Sequence, residues 1–204
     1  FEALGLAHMS VSDGALREGL LHELVGREHH QDIRELTVKE MQQRYSADAE
    51  HAARIEMTAL YCLDKLSGSE KLLNEGNSRL LLSWAARLHE IGQAIAHSGY
   101  QKHGAYLVQN SDLPGFSRQE QQSVAALIRN HRRKITHDDF KQLPNSESEQ
   151  ALLLCILLRL AIVLNRSRTI ETLPAFEIYI GDKSLELWLP AGLLDSLPLT
   201  EKDL

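Results

Sequence analysis

The chain has 204 residues and a formal charge of −6 at neutral pH, room enough for one substantial domain with a smaller piece beside it. That charge excludes a general nucleic-acid binder, so a site for an anion has to be a local concentration of cations. Hydrophobic residues make up 43% and aromatics only 5%, a balance that favours helices packed through Leu and Ala.

In chain order, residues 8–11 read as a short strand, and Ser12 or Asp13 opens a helix through Ala15, Leu16, Leu20, Leu21 and Leu24. The polar stretch from Gly26 to Ile33 marks a boundary, and its His29–His30 pair reads as solvated linker outside any site. A short helix is expected from Leu36 to Tyr45. Ser46 is placed as the cap of a longer one whose inner face carries Ala49, Ala52, Ala53, Ala59, Leu60 and Leu63. Ser67–Gly68–Ser69 and Asn74–Glu75–Gly76–Asn77 are loop chemistry on either side of a brief helical turn.

The stretch 78–108 organises the rest. Leu81, Trp84, Ala85 and Leu88 recur at three- and four-residue steps, which makes one helical face core. His89 follows Leu88 and is expected at the edge of that face, half-buried, with Glu90 beside it. Ser98–Gly99 breaks the chain, and a short helix resumes from His103 to Gln109. Pro114–Gly115 closes a turn, after which Ser117–Arg118–Gln119–Glu120 spells a capping box for a helix burying Val124, Ala125, Leu127 and Ile128. That helix ends in Arg129, His131, Arg132, Arg133 and Lys134, with no acid between Gln121 and His137. The helix dipole accounts for one or two cations at a C-terminus. The surplus points to an anionic ligand.

Residues 138–150 read as polar loop. Ala151 to Leu164 is apolar except for Cys155 and Arg159. As a helix it spans about 21 Å at 1.5 Å per residue, short of the roughly 30 Å of a bilayer core, so it is a buried helix. Arg159 within it is expected to meet a carboxylate or phosphate. Cys62 and Cys155 lack CxxC spacing and read as reduced core thiols. From Phe176 the period becomes two: Phe176, Ile178 and Ile180, a turn over 181–184, then Leu185, Leu187 and Leu189, a β-hairpin. A further helix start is read at Leu199–Thr200–Glu201.

Two resemblances follow from these residues. The helix end Leu88–His89–Glu90–Ile91–Gly92 resembles the metal-binding helix of the HD phosphohydrolase fold, where an adjacent His–acid pair, an earlier His and a later Asp grip divalent ions. His51 would be the earlier histidine. Ile162 stands where the closing aspartate aligns, and Asn165 is the nearest polar side chain. An aliphatic group at that position leaves the ion short of a ligand, so His51, His89, Glu90 and Ile162 read as a degenerate site with no metal expected. Separately, Ser12 to Gly19 (SDGALREG) resembles the closing motif of the second actin-like domain in the exopolyphosphatase and guanosine pentaphosphate phosphohydrolase family. His97–Ser98–Gly99 and the words HGAYLVQNSDLPGF from His103 to Phe116 resemble its exopolyphosphatase branch.

The resemblances imply a mainly α fold: 1–26 as the tail of the second actin-like domain, 27–168 as an HD-domain-like helical bundle, and 169–204 as a partial α+β piece with the hairpin. They imply a parent enzyme, of which a chain starting at Phe1 is a piece, that releases orthophosphate from the ends of linear polyphosphate with Mg²⁺ bound upstream. This chain holds no Gly-rich phosphate loop and no nucleophile with a base, so it is expected to be non-catalytic and free of cofactors. Its expected role is polyphosphate binding and dimerisation. Arg129, His131, Arg132, Arg133, Lys134, Arg166, Arg168, Lys102 and His103 would line the anion's track. The implied partners are polyphosphate, a second copy and the upstream actin-like domains, with no nucleic acid and no transmembrane segment. The implied location is cytoplasmic, with peripheral association at the inner face of the membrane left open. Two alternatives remain open at this point: a working HD-type metal-dependent phosphohydrolase using His51, His89 and Glu90 with help from His97, His103 or His131, and the C-terminal region of a guanosine pentaphosphate phosphohydrolase.

Overall fold

Asp32 starts helix α1 (Ile33–Arg44) by accepting a hydrogen bond from the Arg34 backbone N–H at 3.0 Å. The computed structural model of the protein describes residues 32–66, 77–143, 145–168, 173–181 and 184–202. The expectations for 1–26, for His29–His30 and for the turn between 67 and 76 lie outside the described residues. Helix α2 (Ala49–Leu66) is capped by Asp48, whose carboxylate accepts from the His51 N–H at 2.9 Å. This corrects the expected cap, Ser46, which takes a left-handed φ of 50° in the turn that leaves α1.

Helix α3 (Ser78–Leu88) is the centre of the bundle, with Leu82, Trp84, Ala85 and Ala86 fully buried. After it come a 3₁₀ turn (Ile91–Ala94), α4 (Tyr100–Asn110), α5 (Arg118–Asn130), α6 (His137–Lys141) and α7 (Asn145–Leu164). Helix α3 packs on α2, α5 and α7. The Trp84 indole N–H donates to Glu35 at 2.8 Å, and the Arg34 guanidinium lies 4.7 Å over its ring, which fixes α1 to this core. The expected capping box is present: Ser117 accepts from the Glu120 N–H, and the Glu120 carboxylate accepts from the Ser117 N–H.

The stretch expected as loop over 138–150 is instead α6 and the first turn of α7. Asp138 and Asp139 fall in the first turn of the one and Glu147 in that of the other, where carboxylates complement the positive end of the helix dipole. Leu154, Cys155, Leu157, Leu158, Ala161 and Leu164 of α7 are buried, and no side chain from Gln150 to Leu164 is exposed. Each such leucine contributes about 2 kcal/mol by leaving water. Both thiols, Cys62 and Cys155, are buried, which pushes their pKa values up to about 12 and leaves them unreactive.

The hairpin forms as read. Strands β1 (Glu177–Ile180) and β2 (Leu185–Trp188) are antiparallel, with Ile178 opposite Leu187 and Ile180 opposite Leu185. Its inner side rests on α2, where the Tyr61 hydroxyl donates to the Phe176 carbonyl at 2.7 Å and the two rings meet edge-on at 5.0 Å. Two short helices follow, α8 (Leu193–Ser196) and α9 (Pro198–Glu201), and the Thr200 hydroxyl ties α9 to the Val163 carbonyl of α7 at 2.8 Å. The fold is therefore mainly α with a small hairpin. No helix among the described residues is long and apolar enough to cross a membrane.

Candidate functional site

The start of α2 and the C-terminal ends of α3, α5 and α7 converge on a cavity of about 530 Å³. Its inner wall is three histidines, one from each of three segments. His51 sits in the first turn of α2, His89 immediately after α3 and His131 immediately after α5. Their ring centroids are 6.1 Å apart for His51–His89 and 5.5 Å for His89–His131. All three are buried, and His89 is 1% exposed, not half-buried as its place in α3 alone implies. Helices α2 and α5 deliver the two other histidines against its open side.

Protonation on this wall is fixed by carbonyl partners and by burial. His89 Nδ1 lies 2.7 Å from the Ala86 carbonyl and His131 Nδ1 lies 2.6 Å from the Ile128 carbonyl. A carbonyl only accepts, so each Nδ1 carries the proton and each Nε2 keeps its lone pair. His131 Nε2 accepts from the Tyr100 hydroxyl at 3.3 Å, and burial holds that phenol protonated by raising its pKa. Burial lowers the pKa of His51 to about 4 and of His131 to about 3, and it lowers that of His89 too. The neighbouring Arg168 lowers that of His51 further, while Glu90 works against the shift. At neutral pH the wall is three uncharged imidazoles.

Glu90 is the acid of this wall. Its Oε1 accepts from Arg168 Nη2 at 2.5 Å, while Arg168 Nη1 donates to Asp48 at 3.1 Å. Donor atoms of His51, His89 and Glu90 lie within 4.8 Å of one another, the spacing of a metal-ligand set. Ile162 lines the same cavity, where the HD resemblance would have a closing aspartate. With an aliphatic group there and the carboxylate already engaged by a guanidinium, the residues present do not complete a divalent-ion centre.

The outer rim is cationic. Arg132, Arg133, Arg159, Arg166 and Arg168 line the same cavity. An adjoining cavity of about 660 Å³ shares His97, Arg132 and Arg133 and adds Lys102, Arg129 and Lys134. The buried Asn130 shapes this segment. Its amide N–H groups donate to the Ala126 carbonyl and to Asp139, both at 3.0 Å, and its side-chain oxygen accepts from the Thr136 N–H at 2.7 Å. Arg159 contributes from α7, donating through Nη1 to the carbonyls of Asn130 at 2.9 Å and Arg133 at 2.7 Å. That corrects the expectation of a carboxylate or phosphate partner. The carbonyl of Asn130, the last residue of α5, has no partner within the helix, and together with that of Arg133 just beyond it accepts from the guanidinium instead.

The structure thus brings together most of the residues expected on an anion track and separates one. His131, Arg132, Arg133, Arg166 and Arg168 line the inner cavity, and Lys102, Arg129 and Lys134 the outer. His103, on α4, lines neither. Arg129 is paired with Asp139 at 3.1 Å and Arg168 with two carboxylates. Among the described residues no carboxylate lies within ion-pairing distance of Arg132, Arg133 or Lys134. Arg132 lies 5.3 Å over the Tyr100 ring. The sequence reading missed Tyr100 and Asp48. The left-handed Gly99 before Tyr100, with φ 72°, was the available signal for a helix start that aims this ring inward.

A family model described as Ppx/GppA phosphatase, domain III, matches residues 33–204. Over 204 residues the chain is 35% identical to a protein of Aeromonas hydrophila and 36% identical to one of Vibrio atlanticus. Over 207 residues it is 34% identical to one of Photobacterium profundum. Each of the three is named guanosine-5'-triphosphate,3'-diphosphate pyrophosphatase. All of this chain is covered, and it spans 41%, 40% and 40% of the respective relatives' lengths. On these grounds the chain belongs to the Ppx/GppA phosphatase family and carries its domain III.

Proposed function

We propose that this region grips the phosphate chain of a condensed-phosphate substrate on behalf of phosphohydrolase domains elsewhere in the parent protein. The observation that carries the reading is the pair of adjoining cavities whose common wall is Arg132 and Arg133, cations with no carboxylate partner among the described residues. In a chain of net charge −6, cations brought from α4, from the end of α5 and from beyond α7 onto one face make a local positive field. Linear polyphosphate suits such a face, because a long anion can touch several cations at once and each contact is modest and sensitive to salt. Arg132, Arg133 and Lys134 are the principal contacts, with Arg166 and Lys102 at either end, while Arg129 and Arg168 serve mainly internal carboxylates. On this reading the parent releases orthophosphate from polyphosphate using Mg²⁺ in upstream actin-like domains. It works as a homodimer in the cytoplasm.

A second reading, a guanosine pentaphosphate phosphohydrolase with the same gripping face, has a specific support in the names of the relatives. Titration with defined polyphosphate at two salt concentrations, repeated after R132A/R133A/K134A, tests the first. The expected result is at least a tenfold loss of affinity and a shallower salt dependence. An unchanged salt dependence rejects it. Adding guanosine pentaphosphate as competitor decides between the two substrates, and sedimentation of the chain decides whether it pairs.

A further inference from the structure

The HD resemblance calls for a divalent ion among His51, His89 and Glu90, and the residues around them do not admit one. We infer that Arg168 is a built-in replacement for that cation, its guanidinium joining Glu90 to Asp48 in the place where a transition-metal ion would otherwise be held.

Four observations converge on this. The donor atoms of His51, His89 and Glu90 are already gathered within 4.8 Å of one another. His89 donates its Nδ1 proton to a backbone carbonyl, the orientation that metal-ligating histidines take, and its bare Nε2 lies 3.9 Å from Glu90 Oε1. His51 Nδ1 is buried with no hydrogen-bond partner among the described residues, an orphan position for a side chain only 4% exposed. Finally, that same Oε1 of Glu90 is the oxygen 2.5 Å from Arg168 Nη2.

Arg168 reaches this position at a cost. It adopts a left-handed φ of 54° just past the end of α7, a conformation that non-glycine residues rarely hold. An ion at Glu90 would compete for the same carboxylate and stand beside a positive charge. With Ile162 supplying no ligand, the guanidinium is the better counter-charge for Glu90. Arg168 therefore acts on the wall, and the gripping cations are its neighbours on the rim.

The test is Zn²⁺ binding by titration calorimetry, with thermal melting, on the full chain and on R168A, R168A/I162D and R168A/H89A. Zn²⁺ suits a set of two imidazoles and a carboxylate. R168A is expected to bind at least tenfold more tightly than the natural chain, and R168A/I162D at least tenfold more tightly again. At Zn²⁺ about a hundredfold over Kd, each should melt roughly 5 °C higher than without the ion. R168A/H89A should lose both gains, which separates this site from exposed histidines such as His97. Should R168A not fold, R168Q, which keeps a donor for Glu90 without the charge, carries the same expectation. The inference is overturned if the natural chain binds Zn²⁺ through His89 as tightly as R168A does, or if R168A/I162D binds no more tightly than the natural chain.

Discussion

The two sides of one cavity solve opposite problems. On the inner wall His51, His89 and His131 are buried and carry no charge at neutral pH, and backbone carbonyls and a phenol fix His89 and His131. On the rim Arg132, Arg133 and Lys134 are exposed, without a carboxylate partner among the described residues. Burial decides the difference, since an imidazole taken out of water sheds its proton whereas a guanidinium at the surface has no reason to. Changes to the wall should therefore register in stability, and changes to the rim in binding.

Acid is the sharpest way to break the wall. The unfolded chain binds protons on its histidines near pH 6.5, while folded His51 and His131 resist until about pH 4 and about pH 3. Between those limits the unfolded state holds more protons, so stability is fully present above pH 6.5 and falls as pH drops. His51 faces Glu90, Arg168, His89 and Arg54, and His131 faces His89, Arg132, Arg159 and Tyr100. From pH 7 to pH 5 the two together should remove about 4 kcal/mol as an upper bound. Urea titrations at pH 7, 6 and 5 measure this, and H51Q/H131N should flatten the slope. A natural chain equally stable at pH 7 and 5 contradicts the neutral wall.

A second break is steric. The 3₁₀ turn after His89 approaches α4 so closely that a Cβ on Gly92 would fall 2.0 Å from the Tyr100 carbonyl oxygen and 2.3 Å from the Gly104 nitrogen. Both are backbone atoms and cannot swing aside. G92A should cost about 3 kcal/mol in chemical denaturation, because either the turn that aims His89 and Glu90 or the start of α4 has to move. An unchanged midpoint shows that the turn is not pinned.

These two features mark what the sequence could and could not disclose. Patterns local to a few residues were legible: the Ser117–Glu120 capping box, the alternation over 176–189 and the His89–Glu90 helix end. Features that depend on distant partners were not. No pattern next to His89 shows His51 and His131, each about 40 residues away, closing over it: only the HD resemblance set His51 there, and it offered His131 as one of three candidates with His97 and His103. The contact of Gly92 with α4 and the reach of Arg168 to Asp48, across 120 positions, have no local signature either. The cap at α2 was misplaced because Ser46 and Asp48 both suit a cap, and only backbone geometry chooses between them. Arg159 was assigned a carboxylate or phosphate because burial of a guanidinium was the visible fact, while the carbonyls left free at Asn130 and Arg133 are a property of the assembled helix end.

Arg159 joins the two sides, and R159M measures how firmly. It removes two charge-assisted hydrogen bonds while leaving a long apolar stem in α7, so about 2 kcal/mol of stability should be lost. The carbonyls of Asn130 and Arg133 would then be unsatisfied and the rim less well placed. Polyphosphate affinity should fall while the salt dependence stays within one contact of the natural chain, because Arg132, Arg133 and Lys134 remain. Equal stability in R159M and the natural chain contradicts this link.

The smallest stability effect is expected from the variant with the largest effect on binding. In R132A/R133A/K134A three exposed side chains disappear, none with an ion-pair partner among the described residues. What is lost in the folded state is the stacking of Arg132 on Tyr100 and some favourable charge at the end of α5. What is gained is relief of repulsion among three adjacent cations. These oppose each other, so the midpoint of urea unfolding should change by less than about 0.5 kcal/mol at neutral pH. Added salt should narrow even that difference by screening the repulsion. A loss above 2 kcal/mol means that the rim holds the fold together, and the division of labour between wall and rim is then wrong.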